Sequence, residues 1–146
     1  MRALGSDNID ARLRAAEADT NEGVRWLGMP LADLSTLQRV LVVGGHLRKD
    51  QPLMAQRIRQ AARRGAQVHA LNAQAYDWAM PVRSTLVAPA GEWVQALASV
   101  AQAVAEIKGV SAPVQASSND SAKAIAQSLC SGEHKAILLG NAAAHH

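Results

Sequence analysis

With 146 residues and a net charge of +3, the chain suits one domain with its own core and lacks the charge excess of a strong nucleic-acid binder. Its single cysteine, Cys130, excludes an intrachain disulfide and any cysteine-rich zinc or iron–sulfur centre. Three Trp, one Tyr and no Phe leave the core to Val, Leu, Ile, Met and Ala, a composition that fits helices packed closely on a small sheet.

In chain order, Asn8 to Glu17 predicts a helix with Ile9, Leu13 and Ala16 facing inward. Asn21 to Pro30 reads as loop, and Leu31 to Leu37 as one short helical turn. Residues 1–37 thus form an irregular, partly helical segment expected to pack on the domain that follows. Arg39-Val40-Leu41-Val42-Val43 is a continuous aliphatic run ending in Gly44-Gly45, the pattern of a strand buried on both faces. A helix follows, with Asp50 as its expected cap and Pro52 in its first turn, where a missing N–H costs little. Met54, Ile58, Ala61 and Ala62 make its inner face, and Gly65 stops it. Gln67 to Leu71 gives a second strand, so residues 39–71 form a βαβ unit with a parallel pair and a right-handed crossover.

A third strand is expected at Thr85-Leu86-Val87. A long amphipathic helix then runs from Gly91 to Lys108, with Trp93, Leu97, Val100, Val104 and Ile107 as its apolar stripe and Gly109 at its end. Val110 to Ala116 is a linker around Pro113. Ser118 to Asp120 offer caps for another helix that buries Ala122, Ile125, Ala126, Leu129 and Cys130. Lys135 to Leu139 reads as a fourth strand, again ending in glycine at Gly140. The expected fold is one domain over 1–146, a three-layer, Rossmann-like α/β sandwich. Its small, mostly parallel sheet has strand order 3-2-1-4 and helices on both faces.

Ligands of such sheets sit beyond the carboxyl ends of the strands, where the strand order reverses. The candidates for a pocket there are Gly44, Gly45, His46, Asn72, Gly140 and Asn141, with Arg48 and Lys49 adding charge. Glycines at 44 and 45 allow either a structural turn or close approach of a nucleotide or anion to a helix start. The three-glycine dinucleotide fingerprint and the Walker pattern are both absent. Asn72 stands where a dinucleotide-binding domain usually places a carboxylate for the ribose.

No metal site is expected, because His46, His69 and His134 do not cluster in sequence. Cys130 falls on an apolar helix face and reads as an inert thiol. Ser84 and Ser99 lack a recognisable base partner, and no catalytic residue is assigned. The basic run Arg57, Arg59, Arg63 and Arg64 reads as one solvated helix face, with an acidic partner surface as the alternative. No stretch reads as a signal peptide or a membrane span.

Three stretches carry a resemblance. Leu4-Gly5-Ser6-Asp7-Asn8-Ile9-Asp10-Ala11-Arg12-Leu13-Arg14 resembles the Gly-x-x-Asn-Ile-Asp-x-x-x-Arg segment of molybdopterin-type oxidoreductases. Val40 to Pro52 resembles the segment that follows it in those families. Ile137 to His146 looks like a signature of the large iron–sulfur subunit of bacterial respiratory NADH:quinone oxidoreductase (complex I). The resemblance implies a dinucleotide-binding-like domain, a piece of a longer subunit. In its relatives the second strand ends in Asp-Pro-Arg and engages a molybdopterin guanine dinucleotide. Asn72-Ala73-Gln74 at those positions implies a retired cofactor domain kept as scaffold. It further implies iron–sulfur clusters in a separate N-terminal region, other peripheral-arm subunits as partners, and a place on the cytoplasmic side of the inner membrane.

Overall fold

A computed structural model describes residues 27–144, so the expected helix over 8–17, the first of the resembling stretches and His145-His146 lie outside the described residues. The strands are β1 (Arg39–Val43), β2 (Gln67–Asn72), β3 (Ser84–Val87) and β4 (Lys135–Leu139). They form one four-stranded sheet in the order β3-β2-β1-β4, the order expected, and every pairing is parallel. β1 is central: Val40 lies opposite Val68 on one side and Ala136 on the other. It is covered on both faces, which is why Val40, Leu41, Val42 and Val43 read as an unbroken apolar run and are all within 1% of full burial. Each such side chain contributes about 1.5–3 kcal/mol by leaving water.

One layer holds a 3-10 turn (Leu31–Thr36), the short helix α1 (Leu47–Asp50) and α2 (Pro52–Arg63). α2 buries Ala55, Ile58 and Ala62 against Val40, Val42, Val68 and Ala70, with Ala61 also buried and Met54 partly covered. Pro52 opens it as expected. Asp50 does not cap it: its carboxylate accepts the His46 N–H at 2.9 Å, closing α1 instead. At the far end Gly65 takes φ +98°, and the Ala66 N–H reaches back to the Ala61 carbonyl at 3.0 Å. That left-handed closure lets the chain reverse into β2.

The opposite layer holds a 3-10 turn (Ala90–Glu92), α3 (Trp93–Lys108) and α4 (Asp120–Ser131). Trp93, Val100, Ile125 and Leu129 pack on Leu41, Val43 and Leu71, flanked by the partly buried Leu97 and Val104. The expected stripe ends one turn early: Ile107 is 48% exposed, and Ala103 and Ala105 take the last buried places. Asn119 caps α4 by accepting the Ala122 N–H at 2.8 Å. Cys130 is half-buried at the rim of the α4 face rather than inside it. A single-turn helix, α5 (Asn141–Ala144), follows β4.

Residues 73–83 join two parallel neighbours without a crossover helix. The loop takes the helix's place by burying Trp78 in the α2-side core, with Tyr76, Met80 and Val82 partly covered around it. At the other end of the sheet β4 is an edge strand among the described residues. Ile137 and Leu139 lie opposite Leu41 and Val43, yet they remain 59% and 61% exposed because α3 and α4 cover β1 and stop short of β4.

Candidate functional site

The strand order reverses between β1 and β4, where the expected pocket residues should meet. Gly44, Gly45 and Gly140 do meet there, and they fill the space themselves. The Gly140 N–H donates to the Val43 carbonyl at 2.8 Å and the Ala142 N–H to the Gly44 carbonyl at 3.1 Å. A Cβ on Gly140 would stand 2.3 Å from the Gly45 Cα and 2.5 Å from the Gly44 carbonyl oxygen. A Cβ on Gly44, whose φ is +61°, would stand 2.7 Å from Ala143 and from the Trp93 ring. The glycines at this switch point thus serve backbone-on-backbone packing.

Two of the loop's backbone donors are engaged as well. Gly44 N–H binds the Leu71 carbonyl at 2.9 Å, and His46 N–H binds the Asp50 carboxylate. An anion placed at that loop would meet the Asp50 charge. Asn72 ends β2 at 1% exposure, and its Nδ2 has no acceptor among the described residues. Asn141 is exposed at the start of α5. A molybdopterin guanine dinucleotide does not fit these residues: the crevice is occupied by chain, and Asn72-Ala73-Gln74 supplies neither carboxylate nor cation.

His46 belongs to a different group. Its ring stacks on Tyr76 at 4.3 Å between centroids and 6° between planes, and it meets Trp78 edge-on at 6.0 Å. Arg48 pairs with Asp77 beside them. Asp77 also accepts the Ala79 N–H at 3.0 Å, which holds Ala79 at φ +51°. That backbone donor and then the Arg48 guanidinium hold the Asp77 carboxyl below its usual range. A cavity of about 130 Å³ opens alongside, lined among others by Arg48, Gln56, Arg59 and Trp78. Tyr76, Asp77 and Trp78 do not stand out in the sequence. The available signal is two aromatic residues two positions apart in a chain with 3% aromatics.

His69 corrects a further expectation, because Ser84 does have a base partner. Ser84 Oγ lies 2.6 Å from His69 Nδ1, His69 Nε2 lies 2.8 Å from Ser128 Oγ, and Ser128 donates to Gln67 Oε1 at 2.7 Å. Since Ser128 spends its proton on Gln67, His69 donates from Nε2 and accepts from Ser84 at Nδ1. The arrangement does not make a nucleophile. A catalytic triad places a carboxylate behind the imidazole to stabilise its cation. Here a hydroxyl stands there, and burial, then the Arg83 and Arg39 charges, hold the His69 pKa below its ordinary value. The chain of hydrogen bonds pins β2, β3 and α4 together. Ser99 donates to the Gln95 carbonyl of its own helix at 2.9 Å and stays structural.

Among the described residues no group of three or more His, Cys, Asp or Glu is placed to hold a metal, and no helix is long and apolar enough to cross a membrane. No protein-family model matches the chain, and no curated protein is significantly similar to it.

Proposed function

We propose that this chain is a structural domain of the peripheral arm of a respiratory NADH:quinone oxidoreductase, on the cytoplasmic side of the bacterial inner membrane. It packs against neighbouring subunits there and performs no chemistry of its own. Electron transfer from NADH to quinone is done elsewhere in the assembly, at clusters and sites outside this chain. The observation that carries the reading is the closed switch point. Gly44, Gly45 and Gly140 stand where a dinucleotide-binding domain keeps its crevice, and they hold each other instead of a ligand. The exposed Ile137 and Leu139 on the β4 edge support it, since paired apolar side chains on a sheet face are typical of surface that a neighbour covers.

A nucleotide- or anion-binding module at the Gly44-Gly45 loop is the second reading, favoured by the buried, acceptor-free Nδ2 of Asn72. Affinity purification of the tagged chain from its host membranes separates the two. The scaffold reading expects the chain to arrive with NADH-oxidising, quinone-reducing activity and to show none when purified alone. A chain that elutes alone from gently solubilised membranes, or that turns over NADH by itself, contradicts it.

A further inference from the structure

β3 is the least secured strand of the sheet. It is four residues long and pairs only with β2 among the described residues. Thr85 and Val87 are exposed, and its two inward side chains, Ser84 and Leu86, are only partly buried. Leu86 packs at the margin of the α3 and α4 core, and Ser84 ends on the His69 ring at 2.6 Å. That ring is 2% exposed, and through Ser128 it is tied to α4, which buries Ala122, Ile125, Ala126 and Leu129. One imidazole thus joins a weakly held edge to a firmly packed helix. A positive charge on it would have no answering carboxylate among the described residues. The charges that act on the ring are Arg83, the residue before Ser84, and Arg39 of β1, both positive. The other elements face it with neutral groups: Gln67 from β2, Ser84 from β3 and Ser128 from α4. Asp120 and Lys123 of α4 and Glu106 and Lys108 of α3 are exposed, and the Lys135 ammonium of β4 is bound to the Leu129 carbonyl at 3.2 Å.

We infer that His69 is a proton-operated latch on β3: when the ring takes up a proton, this edge strand opens locally, ahead of the rest of the sheet. The protonated ring still has a hydroxyl at each nitrogen to donate to, so the latch is released by charge and not by a lost hydrogen bond. Burial, then Arg83 and Arg39, hold the His69 pKa below its ordinary value, so the proton binds better wherever the ring meets water. Lifting β3 uncovers the Nδ1 side of the ring and carries Arg83 away with the strand. Unfolding the whole domain would hydrate the ring as well, but it also exposes both cores, whereas opening β3 gives up the packing of Leu86 alone. The closed edge is therefore fully held above about pH 6.5 and loosens as the pH falls toward the lowered folded value. The latch is independent of the scaffold reading, since it needs no partner.

The test is native-state amide exchange of the whole chain, corrected for the intrinsic rate at each pH and read strand by strand. Below about pH 6.5 the protection of the β3 amides should fall, by at most about tenfold per pH unit for one proton, while the β1 amides keep theirs. His69→Phe should remove that pH dependence from β3. Arg83→Gln lies at an exposed position outside the hydrogen-bond chain, so it tests the latch even if His69→Phe does not fold. It should raise the midpoint of the His69 ring, followed by its ¹⁵N signals, and shrink the acid loss of β3 protection. β3 protection that does not change with pH overturns the inference. So does loss from β1 and β3 together, which is global opening, or an acid loss at β3 that both variants retain in full.

Discussion

Gly140→Ala puts the closed switch point under direct mechanical test. The added Cβ would sit 2.3 Å from the Gly45 Cα, 2.5 Å from the Gly44 carbonyl oxygen and 2.6 Å from the Gly45 nitrogen. All three are backbone atoms, so no side-chain rotation relieves the clash. The β1 and β4 loops must separate by about an ångström to restore ordinary contact. That movement also strains the Gly140-to-Val43 and Ala142-to-Gly44 hydrogen bonds. Overpacking of this kind costs about 3 kcal/mol, or a fall in Tm of roughly 6–12 °C for a domain of this size. Gly91→Ala is the control, since a Cβ there would meet nothing within 4 Å. Urea unfolding followed by circular dichroism gives the difference as a shift in midpoint at constant slope. If Gly140→Ala unfolds within about 0.5 kcal/mol of wild type, the loops are not in contact and the case for a filled crevice is lost.

Two further predictions concern the polar network and a helix start. The folded pKa of His69 lies below its unfolded value, so the unfolded chain binds the extra proton. Its contribution to stability is therefore complete above about pH 6.5 and is lost as the pH falls toward the lowered folded value. The slope from one proton cannot exceed about 1.4 kcal/mol per pH unit, and His69→Phe should flatten that part of the profile; an unchanged acid limb places the sensitivity elsewhere. Asn119→Ala removes the side-chain acceptor of the Ala122 N–H and should cost about 1 kcal/mol in urea unfolding, with most of it recovered by Asn119→Ser.

The sheet was legible because its signals are local. An unbroken run from Val40 to Val43 belongs to a central parallel strand, and Gly65 after an amphipathic stretch stops a helix wherever it occurs. The identity of the important glycines was legible too, but their purpose was not. A glycine that admits a phosphate and one that admits another backbone look alike until the partner loop is known, and Gly45 and Gly140 meet only once β1 and β4 pair. The same holds for Ser84 and His69, since the Ser128 hydroxyl that fixes the imidazole's roles comes from 59 residues away. The loop over 73–83 has no periodicity to read, so the burial of Trp78 follows only from the helix missing between β2 and β3. Ile107 shows the limit of a helical stripe. Periodicity gives the direction a side chain points, whereas burial depends on whether the neighbouring layer extends that far.

The most direct test of the central claim is a thermal-shift titration of the purified chain with NADH, adenine and guanine nucleotides, molybdopterin guanine dinucleotide and simple anions. A ligand held at a hundred times its dissociation constant would add about 2.7 kcal/mol of stability, which is readily seen as a higher Tm. A filled switch point predicts no shift with any nucleotide. A clear rise with one of them, abolished by Gly45→Asp, would show an open crevice and contradict the account.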